Sequence, residues 1–311
     1  MLDGSSNQIT EMISPSLAFS QLWQMVANAS SLFYIVDNVS DMLPALLSTG
    51  AVFKFAWDPA PYTVNGSDTN WTVAQHDYLR NWSAVQFGEP QAEVAASLYD
   101  RYFAIPHIAK GNSDEWIGAT LGKLGGSGAA DISGSGAISN TTVATAQKAL
   151  ASVQPSLAPC ASLHADVMKF AALVPPNRLQ FYRQHLAWQT ACQHFGVVAI
   201  SELARSLLAT THDDAVAHVN ASIAAIDSLF AAQRAGEGDG QWSGLYFGDR
   251  LDYTCVAEQY FSECAPCTTL FRLLACLTYL RTYARKQAHT HDTLRRTVAS
   301  HPSSPLLSSQ T

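Results

Sequence analysis

The chain has 311 residues, 48% of them hydrophobic and 10% aromatic, enough to bury a core in one large or two smaller domains and too apolar for a disordered chain. Its formal charge is -7 and its lysines and arginines are scattered, so no basic stripe exists to neutralise phosphates and nucleic acid is not expected as a partner. The most apolar run, residues 268–280, is about thirteen residues long and carries Arg272; it is too short and too polar to span a bilayer, and no membrane segment is expected.

The N-terminal residues MLDGSSNQITEM lack the basic region and apolar core of a signal peptide. Ser14-Pro15 is a helix start, a capping residue followed by proline, and the helix it opens runs to about Asn28 with Leu17, Leu22, Trp23 and Val26 as its apolar residues. Leu32 to Val36 is short and wholly apolar, which predicts a strand buried on both faces. The polar turn Asp37 to Asp41 follows, then a helix to about Trp57 and a polar loop over 58–70. Thr72 to Phe87 reads as a helix closed by Gly88, and Pro90 opens the next, to about Ala104.

Gly122 to Gly136, GKLGGSGAADISGSG, reads as a flexible loop. Its glycines follow no strand and lack the Gly-Lys-Ser/Thr ending of a phosphate-binding loop. Helices are expected at 141–152, 159–173, 176–208, 212–233 and 263–286; in the fourth of these Val216, Val219, Ile223, Ile226 and Phe230 form one stripe. After Lys286 the chain turns polar and reads as a disordered tail, 287–311.

Seven of the ten asparagines begin an Asn-x-Ser/Thr triplet: Asn28, Asn38, Asn65, Asn70, Asn81, Asn140 and Asn220. Chance placement would give roughly one or two, so these are candidate glycosylation sites and the expected location is extracellular or in the secretory pathway. The even set Cys160, Cys192, Cys255, Cys264, Cys267 and Cys276 suits disulfides in such a compartment, although six cysteines allow fifteen pairings. The last four have a C-x8-C-x2-C-x8-C layout that could hold zinc, but an oxidising compartment favours disulfides over a metal or redox site. The ten histidines show no ligand spacing and no G-x-S-x-G elbow is present, so neither a metal nor a cofactor is expected.

The turn Asp37-Asn38-Val39-Ser40-Asp41 carries polar groups at the carboxyl end of the expected strand, where parallel α/β folds bind ligands. Asp41 could equally cap the next helix and Asn38 serve the turn alone.

The order of Ser14-Pro15, an apolar strand, the N-V-x-D-x-x-P turn of Asn38, Val39, Asp41 and Pro44, and the Ala56-Trp57-Asp58 helix end resembles glycoside hydrolase family 115, the xylan α-glucuronidases. The aromatic helix Tyr78 to Gly88 and the stretch GQWSGLYFGDRLDYT, Gly240 to Thr254, extend the likeness over about residues 14 to 254. The resemblance implies a (β/α)8 barrel followed by a helical bundle. The expected fold is therefore mainly α: residues 1–62 a terminal βα remnant of an incomplete barrel, 63–286 the bundle and 287–311 the tail.

A barrel needs eight such strands, so the resemblance implies that this chain is the C-terminal portion of a larger glycosidase and inactive alone. The substrate would be α-linked (4-O-methyl)glucuronic acid of a xylan-type polysaccharide or oligosaccharide, with Asn38 and Asp41 as substrate-binding residues. Inverting hydrolysis needs two carboxyl groups about 6.5–9.5 Å apart. Asp37, Asp41 and Asp58 lie near one unit and nominate no pair, so the catalytic residues are not readable. The family's turn continues with Lys and, after the proline, Glu, where this chain has Leu43 and Leu46. A uronic acid favours a basic partner, and Leu43 and Leu46 supply none. A non-catalytic secreted helical protein, with a packing or carbohydrate-binding role, is the other function compatible with these features.

Overall fold

The computed structural model describes residues 14–28, 42–63, 70–109, 114–134 and 138–237. Among these residues the fold is mainly α and contains no strand. The expected strand Leu32–Val36, the helix 263–286, the tail and the cysteines at 255, 264, 267 and 276 lie outside them.

Four helices form the first region: α1 (Pro15–Asn28), α2 (Met42–Trp57), α3 (Trp71–Phe87) and α4 (Glu89–Phe103). Pro15 opens α1, where its missing N–H costs nothing. Phe19 of α1 is fully buried; its ring stacks on Phe55 of α2 at 5.2 Å and on Tyr62 at 4.8 Å, and meets Tyr78 of α3 edge-on at 5.8 Å. Tyr62 is delivered by a 3-10 turn, Ala60–Tyr62, that follows α2. The Tyr78 hydroxyl donates to the Leu47 carbonyl at 2.9 Å, fastening α3 to α2. Asn70 caps α3, its side chain accepting from the Thr72 and Val73 amides. Gly88 alone separates α3 from α4, at a φ of 91°, a conformation that side chains with a Cβ rarely adopt.

The second region is α5 (Asp114–Gly134), α6 (Asn140–Phe170), a short α7 (Leu179–Tyr182), a π-turn (Arg183–Ala187), α8 (Trp188–Leu208) and α9 (His212–Glu237). α8 is central and packs against α5, α6 and α9. Its small residues admit close neighbours: a Cβ on Gly196 would sit 2.7 Å from Ile117 Cδ1 and 2.8 Å from Ile117 Cγ2 of α5. α9 is tied down by Ser222, which donates to the Ala199 carbonyl at 3.0 Å, and by His218, 2.6 Å from Glu202. By length and composition His212–Gly236 could cross a membrane, although its Val219, Ala225 and Ile226 are buried within the fold.

Three local expectations change. Of the expected flexible loop Gly122–Gly136, the described part, up to Gly134, is helical and belongs to α5, where Leu121 and Leu124 are buried with Ile117 in the shared core. Tertiary burial overrides the low helix propensity of its glycines. Residues 141–152 and 159–173 are not two helices; a single 31-residue helix runs through Pro155 and Pro159. The two prolines stand four residues apart, both exposed, so the Ala151 and Pro155 carbonyls they leave unbonded lie on the water-facing side. The buried residues Thr142, Ala146, Ala149, Val153, Ser156, Cys160, Leu163, Val167 and Phe170 alternate spacings of four and three without a break. The expected helix over 176–208 is interrupted by a 3-10 turn at Pro176–Arg178 and by the π-turn.

Cys160, one of the six disulfide candidates, is a free thiol on this buried stripe, with its pKa pushed up to about 12 by burial. It is a core residue here, consistent with the habit of reduced cysteine as a small hydrophobe.

Candidate functional site

Asn38 and Asp41 lie outside the described residues, as does Asp37. The helix after them begins at Met42, and its far end carries the features that the sequence singled out. Trp57 is 90% exposed, and Phe53, one turn earlier on the same side of α2, is 52% exposed. Asp58 accepts from the Ala60 amide at 3.2 Å, which makes it a turn-closing residue. Asn70, Asn81, Asn140 and Asn220 are all exposed, while Asn28 ends α1 and Asn65 lies outside the described residues.

A polar relay links three helices of the first region. Ser14 donates to Gln75 Oε1 at 2.6 Å, Gln75 Nε2 donates to Asp100 Oδ1 at 2.8 Å, and Asp100 Oδ2 is 2.5 Å from His76 Nδ1. The other ring nitrogen of His76 lies 3.2 Å from Glu93. The Asp100 hydrogen bond raises the His76 pKa against a smaller opposing effect of desolvation. The His76 ring thus ties α3 to α4 with both nitrogens engaged by carboxylates, and Gln75 extends the tie to Ser14 at the start of α1.

Across α4 lies an open groove of about 500 Å³, walled by α4 and α6 and lined by Glu93, Val94, Ser97, Leu98, Arg101, Asp166, Lys169, Phe170 and Leu173. Arg101 Nη1 donates to Asp166 Oδ2 at 2.9 Å and its Nη2 to Ser162 Oγ at 3.1 Å. Lys169 Nζ donates to Asp166 Oδ1 at 2.9 Å. Bonds from Lys169 and then Arg101 hold the Asp166 carboxyl below the usual range.

Burial lowers the pKa values of four further histidines. His164 and His194 stack at 5.2 Å between α6 and α8, and desolvation lowers both. His107 lies 2.6 Å from Gln193, stacks on Trp116, and is lowered by desolvation. His185, in the π-turn, shares a 3.1 Å hydrogen bond with Tyr99 of α4 and is pushed down to about 4 by burial. No group of three or more metal-ligating side chains converges among the described residues.

Neither the relay nor the groove has a signature in the sequence. His76 and Asp100 are 24 residues apart and Arg101 and Asp166 are 65 apart, so no local spacing could link them.

Residues 1–112, a little over a third of the 311-residue chain, match the model of glycosyl hydrolase family 115. The match takes in α1 to α4 and ends well before Gly240–Thr254. No curated protein and no solved structure matches the chain.

Proposed function

We propose that this chain is the C-terminal part of a glycosidase that removes α-linked (4-O-methyl)glucuronic acid from xylan-type polysaccharide, with Asn38 and Asp41 contacting the sugar. The observation that supports it is the family 115 match over residues 1–112, which covers Asn38, Asp41, Pro44 and the Ala56–Asp58 helix end together.

The isolated chain is expected to be inactive. Inverting hydrolysis needs one carboxyl group kept protonated by a raised pKa. Asp131 and Asp166 are shifted the opposite way, Asp131 by hydrogen bonds from Thr142 and Ser139 and Asp166 by its two cations. Asp100 and Glu202 are committed to histidine and other side-chain partners. The test is release of uronic acid from glucuronoxylan and from aldouronic oligosaccharides by the purified chain. Turnover above a heat-denatured control would overturn the inactivity. Asp41→Asn in a catalytically competent longer chain should cut activity with little loss of stability, since Asn caps a helix as well as Asp. An unchanged rate would make Asp41 a structural residue.

A second reading, a secreted non-catalytic carbohydrate binder, is favoured by Leu43 and Leu46 in place of the family's charged residues and by the exposed pair Phe53 and Trp57. Retention on immobilised glucuronoxylan without hydrolysis, lost in Trp57→Ala, would support it. A fall in mass on enzymatic removal of N-glycans from the native protein would support the secretory location.

A further inference from the structure

We propose that the groove between α4 and α6 is an accessory binding site for a carboxylate-bearing sugar, with Arg101 and Lys169 as its cations and Asp166 as the internal carboxylate that the ligand displaces. The proposal rests on the reading of this chain as carbohydrate-directed and adds to it a site outside the Asn38–Asp41 turn.

The groove already holds the chemistry that it would recognise. One oxygen of Asp166 takes the guanidinium of Arg101 and the other takes the ammonium of Lys169, both at 2.9 Å, so the two cations are spaced to share one carboxylate. Glu93, the other acid of the lining, is drawn away toward His76 at 3.2 Å and Arg80 at 3.9 Å. Two cations therefore face a single anion. The guanidinium has five N–H donors, and its bonds to Asp166 and Ser162 use only two of them.

The pairs are also exchangeable. Lys169 is 78% exposed and belongs to the same helix as Asp166, an arrangement that contributes little to stability in water. An incoming carboxylate thus replaces a weak internal contact with an equivalent external one. The apolar part of the lining suits the carbon face of a sugar ring: Leu98 and Phe170 are buried at the floor, and Val94 and Leu173 stand exposed at the rim. The volume lies within the range of roughly 300–1,000 Å³ typical of small-ligand sites.

The experiment is calorimetric titration of the full chain with D-glucuronate, with D-glucose and inorganic sulfate as controls. Glucuronate should bind at least about tenfold more tightly than either control, because only it offers both the carboxylate and the ring. Arg101→Met should weaken glucuronate by roughly tenfold or more, the size of one lost charge-assisted hydrogen bond. Lys169→Met should weaken it less and, at so exposed a position, leaves folding intact if Arg101→Met does not. Asp166→Asn should tighten binding several-fold, which no purely structural role for Asp166 produces. Unchanged affinity in both cation variants, weakening in Asp166→Asn, or equal affinity for sulfate would overturn the proposal. Retention of the Arg101→Met variant on glucuronoxylan at wild-type strength would sink the groove and leave the proposed function standing; glucuronate binding in the groove without any retention on glucuronoxylan would do the reverse.

Discussion

Residues 15–103 and residues 114–237 are both helical, yet they are held together by different means. The first region closes around packed rings, with Phe19, Phe55 and Tyr62 in mutual contact and Tyr78 edge-on to Phe19, and is cross-tied by a histidine whose pKa two acids push up. The second closes around small residues on the seams of α6 and α8, with a glycine seated against Ile117, and shelters histidines whose pKa values burial pushes down. Large rings concentrate stability in few side chains, whereas close-packed small ones spread it over many positions with little tolerance for added volume. The contrast also gives the two regions opposite responses to acid.

The largest effect is expected where rings converge. Phe19→Ala should destabilise the protein by about 3–5 kcal/mol, read by chemical denaturation, since the cavity is bounded by rings from three elements. A loss below about 1 kcal/mol would mean that the first region is not organised around this ring.

Acid separates the regions next. His185 has a folded pKa of about 4, against about 6.5 for an unfolded histidine. As pH falls between those values the unfolded chain takes up a proton that the folded chain refuses. His185 alone then removes on the order of 3 kcal/mol by about pH 4. His76 works in the other sense: its contribution is complete below the unfolded value and is lost as pH rises through its raised folded value. Denaturation midpoints measured from about pH 4 to pH 8 should show His185→Gln flattening the acid side and His76→Gln the alkaline side. The same limb flattened by both substitutions would break the comparison.

Added volume should matter more in the second region. Gly196→Val is expected to cost about 1–3 kcal/mol, because the Ile117 atoms it meets sit on a branched, stiff side chain of a neighbouring helix. Thermal melting would detect it. The smallest effect has the opposite sign. Nothing lies within 4 Å of a Cβ added to Gly126, so Gly126→Ala should raise stability by about 0.5–1 kcal/mol and increase helical circular dichroism. No gain would argue that Gly126 is not held in a helix.

The first region was the more legible in the sequence because its boundaries are chemical. Ser14-Pro15 marks the start of α1, Gly88 stops α3, and Pro90 sits in the first turn of α4, each a residue whose backbone preference acts locally. The second region misleads for the same reason. Pro155 and Pro159 argue locally for a break, but the stripe from Thr142 to Phe170 keeps its spacing through both and burial along it outweighs two missing hydrogen bonds. That stripe was in the sequence, hidden by its Thr, Ser, Ala and Cys members, which do not read as a hydrophobic face. The glycines of α5 hide its helix in the same way. The groove was not legible at all, because Arg101 and Asp166 meet only after α4 has docked against α6.

The π-turn Arg183–Ala187 lies inside the second region but reaches the first: His185 meets Tyr99 and Trp82 of the first region, while the residues after it continue directly into α8. Such a turn holds one residue more than an α-helical ladder requires. A deletion of a single residue there would let the ladder close normally but would rotate α7 against α8 by about 100°. Tyr182, whose hydroxyl donates to the Val167 carbonyl at 2.6 Å, would then face the wrong neighbour. A length change at this point is therefore a phase error between α7 and α8, felt along every contact that the two helices make.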